Sequence, residues 1–345
     1  MDPTNAKEIK KMEKIMEKIV VYNLNWLGDI LFSIPNLKAL KNHYPQCHLS
    51  CIVPPQYAQL LSHQPWVDQT LALSDKTILD KFRLWKILKK EHWDMGFLFH
   101  RSKTRARLLK WAGIPKRIGH NTKGRTHLLT HAIESPNTSL HKMDHLIHLL
   151  ENFGIHPIQR HYEYHVTPMD TSSLPKPYMV FHPGSNWTPK RWPTAYFSEL
   201  GNLLQKQFKV HIVITGLKED KILAQNISQN LHEKPIDLTG KTSFPLLSNI
   251  FHEASCVIAG DTGPMHLAVA CGAPVISLYG PTSPLLNGPR GLNNFKVIWE
   301  PAGLKNLTPQ KVFKEIAEWE TVQKRQRLRG RDPSLSSASF RMTDL

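Results

Sequence analysis

Short apolar runs that alternate with helix-like stretches constrain this chain more than any other feature of its sequence. The run IVVYNL, which begins at Ile19, leads through the turn WLGD into a stretch from Ile30 to Tyr44 with apolar residues at helical spacing. The β-type runs CHLSCIVP and MGFLFH follow, with helical stretches between them. Because strands that alternate with helices form parallel sheets, this half of the chain is predicted to be a parallel α/β unit.

The same alternation starts again after the proline-containing segment SSLPKPY. A strand is predicted at Tyr178–His182, an amphipathic helix at Pro193–Phe208, and further strands in VHIVITG, CVIAGD and PVISLYG. Helical stretches separate these strands, from Lys218 to Leu231 and in PMHLAVACG. Two such series predict an α/β fold of two Rossmann-like, doubly wound parallel-sheet domains that face each other across a ligand-binding cleft.

Chain length also fits two domains, since the chain has 345 residues and single domains commonly hold about 100 to 200. The basic, serine-rich end has little apolar periodicity and is interpreted as a mobile tail. The N-terminal residues are interpreted as a solvated extension, with an amphipathic helix that touches anionic lipid as the alternative. The predicted segments are an N-terminal extension (1–17), a first domain (18–170), a second domain (171–307), a C-terminal helix (308–325) and the tail (326–345).

Composition limits the classes of partner. With 44 Lys and Arg against 28 Asp and Glu, the formal charge is +16 and the pI is near 9.6, which favours an anionic partner such as nucleic acid, a phosphorylated substrate or an acidic membrane face. The four cysteines lie singly in apolar surroundings, which predicts a cytoplasmic protein. No apolar run approaches the ~18 residues needed to cross a bilayer, so membrane attachment is expected to be peripheral.

Asp29 is the first candidate catalytic residue. It follows Gly28 after the first predicted strand, which places its carboxylate at the carboxyl edge of the sheet, facing the predicted cleft. A carboxylate at that position can act as a general base toward a substrate hydroxyl. Spacing alone favours a different role, in which Asp29 caps the helix that begins at Ile30.

Two turns of the second domain are candidate nucleotide contacts. The segment HPGSNWTPKRWP brings glycine, small hydroxyl residues and Lys190 between a strand and a helix N-terminus, where a phosphate is favoured, although an ordinary proline-rich loop explains the pattern equally well. Glu219 and Asp220 follow a strand and a glycine turn, a position suited to ribose hydroxyls. Acidic residues also stabilise the first turn of a helix without any ligand.

The segment AGDTGPMHLAVACGAPVISLYGPTSP is more specific. A polar Asp-Thr-Gly triplet joins a buried strand to a buried helix, and a second strand ends in Gly, Pro and Thr. Helix and strand formation explain the apolar positions but not the grouping of Asp261, Thr262 and His266. A satisfied core histidine is the alternative interpretation of His266.

Metal and nucleic-acid sites are not predicted. The nineteen histidines are scattered without zinc-like spacing, and the sequence has no DxD pair to hold a divalent ion beneath a diphosphate. No cofactor is predicted. The basic stretch from Arg101 to Lys142 is a candidate acceptor-binding surface, with a solvated face as the alternative, and no nucleic-acid recognition module accompanies it.

Together these stretches resemble glycosyltransferase family 9, the lipopolysaccharide heptosyltransferases, over residues 18–325. The pair of tryptophan and asparagine in NWLGD is more similar to the second heptosyltransferase of the core pathway than to the first. The matching pieces are NWLGDILFSIPNLKAL, RSKTRARLLKWAGIPKRIGHNTKGR, HPGSNWTPKRWP, the turn Gly216–Asp220, and GDTGPMHLAVACGAPVISLYGPTSP.

The resemblance implies a GT-B fold, with the acceptor held mainly by the first domain and an ADP-activated heptose by the second. It implies that Asp29 is the general base and that the sugar is transferred with inversion and without a metal. It assigns the ribose to Glu219, with Asp220 one position away. The implied donor-binding residues are Ser185, Thr188, Lys190, Glu219, Asp261, Thr262, Gly263 and His266, and the basic residues expected at the acceptor are Arg101, Lys103, Arg105 and Arg125.

The family's acceptor, an inner-core oligosaccharide of Kdo and heptose on lipid A, fits the basic first domain. The expected reaction is therefore heptose transfer on the cytoplasmic face of the inner membrane. One alternative is a family member that uses another sugar nucleotide or acceptor. The other is a catalytically silent protein that binds anionic glycolipid or nucleic acid through the basic domain.

Overall fold

The computed structural model describes residues 17–329, apart from Thr138 and Asn293. The predicted N-terminal extension therefore lies outside the described residues except for its last position. None of the described helices is long and apolar enough to cross a membrane. All four cysteines are buried.

The first domain is built on one parallel sheet of six strands. Its strands are β1 (Lys18–Tyr22), β2 (His48–Val53), β3 (Gln69–Ala72), β4 (Met95–Leu98), β5 (Lys116–His120) and β6 (His131–Ile133). Its helices are α1 (Leu27–Phe32), α2 (Ile34–His43), α3 (Ala58–Leu61), α4 (Ile78–Lys90), α5 (Lys103–Trp111) and α6 (Lys142–Glu151).

The second domain is built on a second parallel six-stranded sheet. Its strands are β7 (Tyr178–His182), β8 (His211–Ile214), β9 (Ile236–Asp237), β10 (Cys256–Gly260), β11 (Val275–Tyr279) and β12 (Phe295–Trp299). Its helices are α7 (Thr194–Phe208), α8 (Lys221–Ser228), α9 (Phe244–Glu253), α10 (Gly263–Ala270), α11 (Pro284–Asn287) and α12 (Pro309–Arg329).

The two sheets have the same strand order. The first sheet runs β3-β2-β1-β4-β5-β6, and the second runs β12-β11-β10-β7-β8-β9. If the strands of the second domain are numbered from its first strand and the sheet is read from the opposite edge, its order is the same as that of the first sheet. This is the doubly wound Rossmann order, in which ligands bind at the carboxyl ends of the two strands where the winding reverses. The reversal lies between β1 and β4 in the first sheet and between β7 and β10 in the second. The predicted α/β fold is confirmed.

Several predicted boundaries differ from the structure. The stretch from Ile30 to Tyr44 forms two helices that meet at Ser33, because Pro35 lacks a backbone N–H and its ring clashes with the preceding turn of a continuous helix. The apolar pattern did not reveal β3, β5, β6, β9 or β12, which are short, polar or half-exposed strands toward the sheet edges. Edge strands carry weak periodicity because only part of their surface is buried.

The domains pack directly against each other. One buried apolar cluster contains Ile19 and Phe32 of the first domain together with Met265 and Val275 of the second. The C-terminal helix α12 returns to the second domain, where Val312 and its neighbours pack beneath α7. Helix α12 extends to Arg329, the last described residue, which lies four residues inside the predicted tail, and the rest of that tail lies outside the described residues.

Candidate active site

Asp29 lies in the first turn of α1, directly above the carboxyl end of β1. The N-cap position of α1 is Trp26, so Asp29 is not the capping residue that spacing alone favoured. Its carboxylate is mostly buried and accepts a hydrogen bond of 2.9 Å from Lys142 Nζ. Lys142 is the first residue of α6 and is half exposed. The predicted base is therefore one partner of an ion pair within the first domain.

In the second domain, the loop after β7 carries Lys190 toward the end of β10. Lys190 ends a short 3-10 turn, and its ammonium donates to Asp261 Oδ2 at 2.5 Å. The backbone of this loop passes so close to Gly260 that a side chain there would collide with the Lys190 carbonyl. The glycine at the end of β10 is thus what lets the lysine approach.

Asp261 gathers three donors around one buried carboxylate. Thr282 Oγ1 donates to it at 2.7 Å and Asn287 Nδ2 at 3.0 Å, in addition to Lys190. Burial by itself raises the pKa of a carboxyl group, but the hydrogen bonds and charge of Lys190 together with Thr282 hold the pKa of Asp261 below its ordinary value. Asp261 is therefore an ionised anchor that fixes the lysine beside the N-terminus of α10.

Helix α10 starts at the same place. Thr262 is its N-cap residue and its Oγ1 accepts a hydrogen bond from Met265 N at 3.4 Å, while Gly263 and Pro264 form its first turn. The positive end of the helix dipole therefore lies next to the Lys190 ammonium. A helix N-terminus and a lysine form a favourable site for a phosphate group.

The first turns of α1 and α10 meet across the domain boundary at two glycines. A Cβ atom on Gly263 would lie 2.6 Å from Leu27 Cβ, and one on Gly28 would lie 2.9 Å from His266 Cδ2. Only glycine at both positions permits this approach. The contact brings Asp29, one residue after Gly28, to the side of the cleft that faces α10.

His266 is buried between the domains in a defined protonation state. Tyr162 Oη lies 2.7 Å from His266 Nδ1 and accepts a hydrogen bond of 3.3 Å from Arg290 N. Burial lowers the pKa of His266 to about 3 and keeps the ring neutral. His266 is thus a satisfied buried histidine, and its contact with a donor stays a prediction.

The other predicted donor residues surround the carboxyl edge of the second sheet. Ser185 is half-buried, and its Oγ accepts from Trp187 N at 3.3 Å, whereas Thr188 is exposed at the start of the 3-10 turn. Glu219 is exposed after β8. Its neighbour Asp220 is buried and accepts a hydrogen bond from Leu217 N at 2.9 Å. Of these two acids, only Glu219 presents its side chain to solvent.

The four predicted acceptor residues divide into two pairs. Arg101 is exposed and approaches His145 on α6 at 2.6 Å, one turn from Lys142, and Lys103 is half-buried. Arg105 is buried in a two-bond ion pair with Asp75. Arg125 is 0% exposed, and its guanidinium donates to the carbonyls of His120 and His100. In this conformation Arg125 has no surface for a ligand and holds the ends of β4 and β5 together.

The structure also adds residues that the motifs did not single out. Thr282 lies in the segment YGPTSP, directly after β11, so its position at the end of a buried strand could have identified it as a site residue. Lys142 belongs to the noted basic stretch, but nothing in the sequence pairs it with Asp29. No local pattern surrounds Tyr162. Among the residues that the structure describes, no group of three or more His, Cys, Asp or Glu is arranged to hold a metal ion.

Two Rossmann-like domains of equal strand order, with their switch points facing one cleft, define a GT-B fold. The chain matches the sequence profile of glycosyltransferase family 9 (heptosyltransferase) over residues 81–316. It belongs to that family and is a glycosyltransferase.

Relatives of known name agree with this assignment. The chain is 26% identical over 296 residues to lipooligosaccharide heptosyltransferase 2 of Haemophilus influenzae, covering 79% of this chain and 85% of that protein. It is 26% identical over 294 residues to lipopolysaccharide heptosyltransferase 2 of Escherichia coli, covering 77% and 84%. The solved structure of E. coli ADP-heptose LPS heptosyltransferase II has a TM-score of 0.78 at 24% identity, covering 89% of this chain and 99% of that chain.

Proposed function

We propose that this protein transfers heptose, with inversion and without a metal, from ADP-heptose to the Kdo or heptose inner core of lipid A-linked lipopolysaccharide. The observation that carries the proposal is that two groups of candidate residues, one from each domain, meet. We call them the first and the second half-site. Asp29 belongs to the switch point of the first sheet, and Lys190 with the N-terminus of α10 belongs to the switch point of the second. The contact between α1 and α10 joins them.

The second half-site would hold the donor. Lys190 and the positive end of α10 offset the charge of the ADP diphosphate, which grows as the anomeric bond breaks. Asp261 holds Lys190 in place, and His266 lines the same half-site. The exposed Glu219 accepts hydrogen bonds from the ribose hydroxyls, and Ser185 or Thr188 adds a hydroxyl to the phosphates.

The first half-site would hold the acceptor. Asp29 removes the proton of the attacking hydroxyl on the side of the sugar opposite the departing ADP, which gives inversion. Lys142 keeps the Asp29 carboxylate oriented until an acceptor enters. Arg101 and Lys103, which are not fully buried, meet the acidic groups of Kdo and phosphate. Arg105 and Arg125 support these positions from below.

The acceptor's lipid anchor places the reaction at a membrane, so the proposal includes peripheral contact with the cytoplasmic face of the inner membrane. Nucleic acid has no role in it. A family member with another sugar nucleotide or acceptor would differ in specificity around the same half-sites. A catalytically silent anion-binding protein would bind acidic glycolipid in a salt-sensitive manner without nucleotide affinity.

The test is release of ADP from ADP-heptose in the presence of Kdo-bearing lipid A and EDTA. We expect the wild-type protein to turn over, and Asp29→Asn to lower kcat about a hundred- to ten-thousand-fold because a general base is lost. Affinity for ADP should stay within about twofold, since Asp29 lies outside the donor half-site. Asp170→Asn, which changes an exposed acid of the linker between the domains, is the matched control.

Each part of the proposal can fail separately. Unchanged kcat in Asp29→Asn would remove the base assignment. Turnover that needs a divalent ion would contradict metal independence. If other sugar nucleotides compete better than ADP-heptose, the donor is different, and if no sugar nucleotide binds, the silent protein is the correct description.

A further inference from the structure

Helix α4 exposes apolar side chains on the outside of the first domain. Leu84 and Leu88 face the core, whereas Ile78 is 83%, Leu79 68% and Phe82 51% exposed. At 100° per residue these three point away from the two leucines. The three are adjacent on the first turn and a half of the helix and form one apolar patch rather than scattered single residues.

The remainder of the same outward face is basic. Lys86, Lys89 and Lys90 follow the apolar turn and are exposed. Lys86 Nζ lies 5.0 Å from the Phe82 ring centre and Lys89 Nζ 5.0 Å from that of Trp85. The only acid of the helix, Asp80, is held in the capping box with Thr77. This face therefore combines an apolar end with a basic end.

Helix α5 extends this face. Trp111 at its end is 65% exposed, and Trp85 Nε1 donates to the Trp111 carbonyl at 3.1 Å, which couples the two helices. Arg107 and Lys110 are exposed on α5, which has no acidic residue. We call the residues Ile78, Leu79, Phe82, Lys86, Lys89, Lys90, Arg107, Lys110 and Trp111 the α4–α5 surface.

The α4–α5 surface lies on the acceptor side of the cleft. Because α4 follows β3, its apolar first turn starts at the carboxyl edge of the sheet, the edge that carries Asp29. Asp75, three residues before Ile78, binds Arg105, and Arg105 Nη2 donates to Asn25 Oδ1 at 2.8 Å. Asn25 precedes α1. An ion pair and a hydrogen bond thus connect the segment before the apolar turn to the loop that precedes the proposed base.

We propose that the α4–α5 surface docks this protein on an anionic lipid bilayer, with the apolar turn of α4 and Trp111 in the interface and the lysines among acidic headgroups. Exposed apolar residues beside a basic cluster match that boundary in both polarity and charge. The proposal rests on the proposed function in one respect, that a lipid-anchored acceptor then enters the cleft from the same side. Binding to lipid itself does not depend on it.

The experiment is co-sedimentation of the full chain with vesicles of phosphatidylcholine alone or mixed with phosphatidylglycerol. We expect the wild type to bind only the anionic vesicles. The combined variant Ile78→Ser, Leu79→Ser, Phe82→Ser should bind at least about tenfold more weakly, because the buried apolar area is lost. Its matched control replaces Ile158, Met169 and Ile222, which are exposed apolar residues elsewhere, by serine.

Charge is tested in the same way. Lys86→Glu, Lys89→Glu, Lys90→Glu should reduce binding by about fivefold or more for each lysine changed. The control changes three exposed lysines of the second domain, Lys206, Lys221 and Lys234, to glutamate. Both termini are kept in every variant, so a difference between variant and control is due to the α4–α5 surface.

Activity separates this inference from the proposed function. The α4 variants should keep wild-type turnover on a water-soluble, delipidated acceptor and lose at least about tenfold on acceptor embedded in anionic vesicles. The docking proposal would be overturned if the variants and their controls bound vesicles equally, or if the wild type did not bind anionic vesicles. It would also be overturned if the α4–α5 surface instead mediated self-association or RNA binding. Vesicle binding without any transferase activity would leave docking intact and reject the function.

Discussion

At the residue scale, the buried carboxylate of Asp261 organises the second half-site. An unpaired charge is costly in a protein interior, and Asp261 is stable there because Lys190, Thr282 and Asn287 all donate to it. A carboxylate repels a diphosphate, so the contribution that we propose for Asp261 in donor binding is the placement of the Lys190 ammonium. Asp261 is in this view a positioning residue.

A double-mutant cycle tests this role. Lys190→Ala should weaken ADP binding about tenfold or more, since a charge-assisted contact to phosphate is lost. Asp261→Asn alone should also weaken it, because the lysine loses its anchor. In the Lys190→Ala background, Asp261→Asn should have little further effect, which is the signature of two residues that act as a unit.

Calorimetric titration with ADP in EDTA measures all four proteins. Lys221→Ala, an exposed lysine of α8, is the control for the loss of a positive charge. Effects of Lys190 and Asp261 that simply add would show that Asp261 acts independently of the lysine.

At the element scale, the approach of α1 to α10 decides whether the two half-sites form one active site. Neither helix is long, and each presents a glycine to the other. In the proposed mechanism Asp29 and Lys190 act at a fixed separation, so the spacing of these helices should matter more to the reaction than their individual stability.

Gly263→Ala tests that spacing. The added methyl group would overlap Leu27 Cβ and push the helices apart, at a cost of about 1–3 kcal/mol in stability. We expect kcat to fall about a hundredfold, because a displacement near 1 Å at reacting groups has that effect. Affinity for ADP should also fall, because Gly263 forms the first turn of α10, whose N-terminus belongs to the proposed donor half-site.

The matched control is Gly113→Ala. An added methyl group there meets nothing within 4 Å, so this variant reports only the backbone strain at its φ of +82°. Steady-state kinetics and ADP titration on both variants give the comparison. A Gly263→Ala enzyme with normal kcat would show that the reacting groups tolerate a wider cleft.

At the scale of the whole molecule, both domains contain buried histidines that stay neutral. Burial lowers the pKa of His120 and His266 to about 3, and that of His141 and His182 to about 4. Each ring is hydrogen-bonded in its neutral form or packed against its neighbours. These histidines are therefore harder to protonate in the folded protein than in the unfolded chain.

Stability should consequently fall in mild acid. In the unfolded chain these histidines bind protons as the pH falls through about 6.5, whereas in the folded chain they stay neutral. Their contribution to the free energy of unfolding is therefore fully present above that pH and is lost as the pH falls. Between about pH 7 and 5 each fully buried histidine should remove about 1–2 kcal/mol from the free energy of unfolding.

Urea denaturation at the two pH values measures the change. His182→Gln should reduce the pH dependence by about one proton in this range, since one titrating group is gone. A free energy of unfolding that is constant between pH 7 and 5 would show that the folded protein takes up these protons.

Much of the architecture was predictable from the sequence because it follows from local patterns. Buried strands such as β1, β7 and β10 are apolar runs, the turns after them contain glycine, and the helices have apolar periodicity. Parallel sheets bring the ends of such strands to one edge. The positions of Asp29, Lys190 and Asp261 near a cleft follow from these rules.

The tertiary structure alone decided which residues pair. Tyr162 reaches His266 across 104 positions of sequence and Lys142 reaches Asp29 across 113, and no local pattern encodes such contacts. The basic stretch looked uniform, yet folding buries Arg125 and leaves Arg101 exposed. Sequence periodicity records how a segment meets an apolar or aqueous environment, whereas partners are set by how distant segments pack, which depends on the whole chain at once.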